Sequence, residues 1–276
     1  MVMHQGDFAY SSNVDGWTDL ISNALGSPFP YLGSVGNHDA TAWNMNNENN
    51  SCPGDNGCYS KYFKDVMQDH GITPDHPDLN DQKYAFAFNG IKFVLVGENG
   101  NNVEFAEFID DQLTGTDHIW NICSWHRNQR EMQIGGKTSE MGWDVYENCR
   151  EHGAIVATAH EHSYERTRSL VQMQNQTVDS TCSDPADLCV GVGTTFAFVS
   201  GLGGHSIRDQ ERCLPLTFPY GCNGEWAKIY TTDQDAQYGA LFIEFHIDND
   251  PRKAHSYFKN INGQIIDSFD ITSSTN

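Results

Sequence analysis

Four short segments combine residue types that bind cations and move protons: Gly6-Asp7-Phe8-Ala9-Tyr10, Gly36-Asn37-His38-Asp39, the lone His126, and Ala159-His160-Glu161-His162. Each follows a short apolar run, such as "YLGSV", "NICSW" or "AIVAT", so each stands at the exit of a strand. Carboxylate, amide oxygen and imidazole are the ligands of hard and borderline cations. An Asp bridges two cations through its two oxygens, and His-x-His at a strand exit gives each imidazole to a different metal. Asn offers a neutral oxygen where another carboxylate would add too much negative charge. A Tyr phenolate suits a strongly Lewis-acidic ion, Fe³⁺ above all, which ionises the phenol despite its ordinary pKa of about 10. Two such cations side by side activate water and hold a phosphate for displacement at phosphorus. Read singly, each segment has a plainer account: Gly-Asp is common in turns, and a lone His is often a core or rim residue. In this order, all at strand ends, they point to one site.

The elements that must position these residues follow from pattern. "YAFAFNGIKFVLVGE" (84–98) predicts two strands joined at Asn89-Gly90, a strong hairpin signal. "FAEFIDDQL" (105–113) has apolar residues at helical spacing. "IWNICSW" (119–125) and "AIVATA" (154–159) read as buried strands. "GWDVYENCREHG" (142–153) reads as a helix stopped by Gly153. "TTFAFVSGLGG" (194–204) is a further strand with a glycine-rich exit, and the tail from "YGALFIEFHI" onward reads as antiparallel strands. Residues 42–57 are an Asn-rich loop. Helices alternate with strands to about residue 160 and strands dominate afterwards, which predicts two packed sheets flanked by helices in one domain over 1–276.

Bulk properties narrow the function class. The chain carries 16 Lys and Arg against 37 Asp and Glu, a net charge of −21. That balance argues against a nucleic-acid-binding patch or an anionic-membrane surface, since both need a basic footprint. No apolar run approaches the ~18 residues of a membrane span, and the first residues have no signal-peptide pattern. Cys52/Cys58, Cys182/Cys189 and Cys213/Cys222 are close pairs in polar loop sequence, expected as disulfides of a protein in an extracellular or other oxidising compartment. Cys123 and Cys149 are either buried thiols or a fourth bridge. Sequons at Asn49 and Asn175 fit a secreted protein.

The order GDxxY, GNH[DE], a strand-terminal His and then HxH resembles the calcineurin-like metallophosphoesterase superfamily. Tyr10 and the run "HEHSYERT" (160–167) make it most similar to the purple acid phosphatase branch. The resemblance spans residues 7–162 by motif and implies a four-layer α/β/β/α sandwich. It further implies a centre of Fe(III) plus a divalent Fe, Zn or Mn, with a metal-bound hydroxide attacking a small phosphate ester, preferentially a monoester. Diester or nucleotide hydrolysis is the alternative within the fold. Asp7 would bridge both metals, Tyr10 and His162 would hold the ferric ion, and Asn37, His126 and His160 the divalent one. His38 would face the substrate as phosphate stabiliser or proton donor, tuned by Asp39. Arg127, Asn128 and Lys137 would either contact the phosphate or belong to a solvated loop. His205, beyond "GLGG", would line the cleft, and Glu165-Arg166 would form a supporting ion pair. Cys123 and Ala159 replace the family's Val and Gly, small changes. The family's leading DxG motif has no counterpart before Asp7; Asp55-Asn56-Gly57 follows the third motif and is rejected as that ligand. The expectation is therefore a sandwich lacking its first strand, either as an active hydrolase or as a catalytically impaired metal-binding relative.

Overall fold

Phe8 shows how the first motif is held. It packs against Trp17, Tyr59 and Phe63 with ring centroids 5.1, 4.9 and 5.4 Å away, so the loop carrying Asp7 is fastened to an aromatic core. The computed structural model describes residues 1–11, 13–43, 58–75, 79, 82–98 and 102–275. Cys52 of the expected Cys52/Cys58 pair, the Asn49 sequon and Asp55-Asn56-Gly57 lie outside them, as does His76, which the sequence marks only as a surface or loop residue. The chain divides into two compact units, Met1–Asn99 with Ser124–His126, and Gly100–Cys123 with Arg127–Asn276.

In the first unit β1 (Val2–His4) leads to α1 (Val14–Leu25), β2 (Tyr31–Gly33), α2 (Tyr59–Asp69), β3 (Tyr84–Phe88) and β4 (Ile91–Leu95). The Asn13 side chain caps α1 by accepting from Gly16 N at 3.0 Å. The helix buries Val14, Trp17, Thr18 and Ile21, the i, i+3, i+4, i+7 stripe of an amphipathic helix. β1 and β2 pair in parallel, Val2 with Tyr31 through His4 with Gly33. Their carboxyl ends therefore emerge together, and the two loops bearing Asp7 and Asn37 start side by side. β3 and β4 form the expected hairpin, with Asn89 at φ 50° and Gly90 at φ 81°, as a type I′ turn requires.

The sequence places Cys58 at the end of polar loop sequence, as a local staple with Cys52. The structure buries Cys58 completely at the N-cap of α2, where its carbonyl accepts from Tyr62 N at 3.1 Å. The physical reason is its position directly before the buried start of that helix: Tyr59 and Ser60 are buried too, and Ser60 N is held by Trp43 O at 2.9 Å. Cys58 is disulfide-bonded, but the Cys52–Cys58 pairing itself is not among the bridges between described residues, because Cys52 is not one of them.

The second unit holds α3 (Asn102–Leu113), β5 (Trp120–Ser124), α4 (Trp143–Glu151), β6 (Ala154–Thr158), β7 (Tyr164–Thr167), β8 (Leu170–Gln172), β9 (Thr177–Val178), β10 (Asp187–Val190), β11 (Ala197–Ser200), β12 (Trp226–Tyr230), β13 (Gly239–Phe245), β14 (Lys253–Asn260) and β15 (Ile265–Ser273). Its first sheet runs β12-β7-β11-β6-β5; β11 is parallel to β6 and antiparallel to β7. Every residue of β5 and β6 is buried, the signature of strands covered on both faces. Gly153 at φ 66° ends α4 and turns the chain into β6. The second sheet runs β10-β15-β14-β13, and β8 and β9 make a separate ribbon.

The sheets of this unit are joined through β7. Tyr164 stacks on Phe258 at 4.2 Å. The Tyr164 hydroxyl and the Arg166 guanidinium both donate to Asp267, at 2.7 Å for the hydroxyl and 2.8 and 3.1 Å for the fork. This corrects the expected Glu165–Arg166 pair. Adjacent residues of a strand point to opposite faces, so Arg166 finds Asp267 while Glu165 accepts from Ile134 N at 3.3 Å. Cys182–Cys189 and Cys213–Cys222 are bridged as expected, and Cys123–Cys149 is a further bridge, joining β5 to α4. These bridges fit an oxidising compartment. Among the described residues no helix is long and apolar enough to cross a membrane.

Candidate metal centre

Two glycines let the first two motif loops meet. A Cβ on Gly36 would lie 2.2 Å from Asp7 N and 2.3 Å from its Oδ1. A Cβ on Gly6 would lie 2.6 Å from Gly36 N and 2.9 Å from His126 Nδ1. Asp7 itself is held at φ 58°, a left-handed conformation that a non-glycine residue adopts only when its surroundings impose it. The imposing group is Asp39. Its fully buried carboxylate accepts from Asp7 N at 2.6 Å, Phe8 N at 2.9 Å and Gly36 N at 2.8 Å, stapling the loops together. Asp7 Oδ1 in turn accepts from His38 N at 2.9 Å. The His38 side chain is exposed, and its ring lies 4.4 Å from that of Tyr10, which is 40% exposed.

His126 completes the set in this unit. Its Nδ1 stands 2.6 Å from Gln5 O, and a carbonyl only accepts, so Nδ1 carries the proton. Nε2 then faces Asp7 Oδ2 at 3.1 Å. In neutral histidine that places a lone pair against a carboxylate oxygen, an arrangement that either a second proton or a cation relieves. Asn37 Oδ1 is buried and has no hydrogen-bond partner among the described residues. A carboxylate, an imidazole with its outer nitrogen already anchored and an orphaned amide oxygen are the donors a divalent cation takes, so the residues fit the expected group.

The local field follows from burial and pairing. Burial opposes ionisation of Asp7, but the hydrogen bond and positive potential from His126, with the His38 N–H, hold its carboxyl well below the usual range. Burial pushes Asp39 up to about 7, against the pull of the Gly36 and Phe8 N–H groups. Burial and His126 together lower His4 to about 4, so His4 serves as a neutral bonding partner of the Tyr31 hydroxyl at 2.8 Å.

In the second unit the turn after β6 carries His160 and His162. His160 is the counterpart of Asp7 in strain, at φ 63°. Lys137 Nζ donates to its carbonyl, and its Nε2 lies 3.0 Å from Glu140 Oε2. Glu140 also receives Arg127 Nη1 at 3.1 Å. Asn128 is fully buried; its Nδ2 donates to Ala159 O at 2.6 Å and its Oδ1 accepts from Tyr146 OH at 3.1 Å. Asn128 and Lys137 thus hold the backbone on which His160 sits. His162 Nδ1 lies 2.6 Å from Ser206 Oγ, and its ring is 5.5 Å from that of His205. Gly201 permits this contact between loops, since a Cβ there would strike Glu161 O at 1.9 Å.

The structure therefore gathers Asp7, Tyr10, Asn37, His38, Asp39 and His126 in the first unit, and His160, His162, His205, Arg127, Asn128 and Lys137 in the second. Sequence reasoning passed over Gln5, Glu140, Tyr146 and Ser206. Only Ser206 had a signal, its place directly after the glycine-rich exit and His205.

No family model matches the chain, and no curated protein matches its sequence. Among solved structures, the purple acid phosphatase PPD1 from yellow lupin (Lupinus luteus) seeds superposes with a TM-score of 0.68 at 21% identity, covering 98% of this chain and 46% of that one. The chain thus spans about half the length of that phosphatase. A structure of PhoD superposes with a TM-score of 0.41 at 12% identity, covering 94% of this chain and 59% of that one. The first of these shows the fold alone: this chain is folded like that purple acid phosphatase.

Proposed function

From that fold, we propose that the chain is a metal-dependent phosphomonoesterase of the purple acid phosphatase kind, acting on small phosphate esters at a dinuclear centre of Fe(III) and a divalent metal. The observation that carries the reading is the Asp7–His126 contact at 3.1 Å beside the orphaned Asn37 oxygen. Asp7 would serve both cations, Asn37, His126 and His160 the divalent one, and Tyr10 and His162 the ferric one. Bound there, the pair of cations would acidify water and offset charge on the phosphoryl oxygens.

The remaining work belongs to the chain. Asp39 holds the Asp7 and Asn37 loops in register through its three backbone contacts. Gln5 O fixes which nitrogen of His126 is presented. His38 is exposed next to Tyr10, a placement suited to a group that meets a phosphate and gives a proton to the departing alkoxide. Arg127, tied to Glu140, and His205 are the groups for the substrate's outer oxygens.

The test is metal analysis with turnover of p-nitrophenyl phosphate. The purified chain is expected to carry two metals and hydrolyse the monoester faster than bis-p-nitrophenyl phosphate. Asp7→Asn and His126→Ala should each lose activity by ~100-fold or more, as ligand losses do. A chain with less than one metal and no turnover after addition of Fe and Zn is a binding relative, not an enzyme. Visible colour lost in Tyr10→Phe supports ferric tyrosinate; a colourless, fully metallated chain removes that assignment alone.

A further inference from the structure

Ser206 Oγ lies 2.6 Å from His162 Nδ1 and 3.3 Å from His205 Nδ1. A hydroxyl has one proton to give and lone pairs to receive. Flanked by two imidazole nitrogens, it satisfies both when one ring donates to it and it donates to the other. The short contact is to His162, whose ring is 8% exposed, and the long one is to the exposed His205.

The backbone imposes this placement. Gly201 N donates to Ser163 O at 2.9 Å and Arg208 N to His162 O at 3.0 Å, so the loop is tied to the His160–His162 turn on both sides of Ser206. Tyr238 OH donates to His205 O at 2.8 Å, and Gly239 N to Leu202 O at 3.0 Å, fixing the loop from its other flank.

We propose that Ser206 is a positioning residue: its hydroxyl oxygen accepts a hydrogen bond from His162 Nδ1–H, and its own O–H donates to His205 Nδ1. This fixes His162 in the Nδ1–H tautomer and makes Nε2 its ligating nitrogen. The inference rests on reading His162 as a metal ligand. It gives that histidine the outer anchor that Gln5 O gives His126, supplied by a side chain in place of a carbonyl.

The experiment uses the full chain, metal-free and titrated with Zn²⁺ against a competing chelator, with ring-nitrogen NMR of the histidines. The expected tautomer of His162 in the metal-free wild type is Nδ1–H. Ser206→Ala should weaken Zn²⁺ binding by ~10- to 100-fold and mix the tautomers, while Ser206→Thr, which keeps the hydroxyl, stays within about twofold. Ser206 is exposed, so the alanine variant is expected to melt like the wild type. An Nε2–H tautomer at His162 in the wild type overturns the proposal. So does wild-type affinity in Ser206→Ala when His162→Ala has lost it. Wild-type affinity in His162→Ala would instead remove the ligand role of His162, and the tautomer would still decide the hydrogen bond.

Discussion

At the residue scale, one carboxylate does the assembling. Asp39 is buried away from solvent and collects three backbone N–H groups from two loops. Removing it leaves three donors without an acceptor, two of them buried and one partly so, a buried donor costing ~1–3 kcal/mol. Asp39→Ala is expected to lower unfolding stability by about 3 kcal/mol or more, read from urea denaturation of the metal-free chain. Its metal affinity should fall with it, because Asp7 loses the contact that holds it at φ 58°. The residue types at the four motifs were legible because cation chemistry restricts the choice to a few side chains. Their anchors were not. Gln5 acts through its carbonyl, which every residue has. Glu140 reaches His160 from a loop with no periodicity to mark it.

At the element scale, β7 is the informative case. "YERT" reads as polar and so escapes a hydrophobic pattern search, yet all four residues are buried. The charge is tolerated because Arg166 is matched by the Asp267 fork and lies against the Phe269 ring at 3.8 Å, a cation–π contact. Strands β3, β4, β5 and β6 were legible from apolar runs and the Asn89-Gly90 turn; α1 was obscured by Gly16 within its first turn. The burial of Cys58 was hidden for a similar reason, since the polar run before it masks the helix that starts directly after it. Asp267→Ala should destabilise the chain by about 3–5 kcal/mol, the cost of stranding a buried arginine. Replacing both Arg166 and Asp267 by apolar residues should cost less than that single change, measured by the same denaturation midpoints. β7 continues directly from the His160–His162 turn, so loosening it also frees the turn; reduced metal affinity in Asp267→Ala would register that link.

At the scale of the whole molecule, charge and covalent ties dominate. A net charge of −21 makes the folded chain repel itself. Sodium chloride screens that repulsion, so the metal-free chain is expected to melt at a higher temperature in 0.5 M salt than in 0.02 M, concentrations chosen to span about tenfold or more in ionic strength. An unchanged or falling melting temperature would mean that favourable ion pairs outweigh the repulsion. The Cys123–Cys149 bridge carries a different consequence. Both residues are fully buried between β5 and α4, so a reductant in solution meets these sulfurs only in moments when the helix has lifted away. The speed of reduction under native conditions is therefore a clock for local opening. It times, from a single bond and without any label, how often the segment behind the His126 strand comes undone.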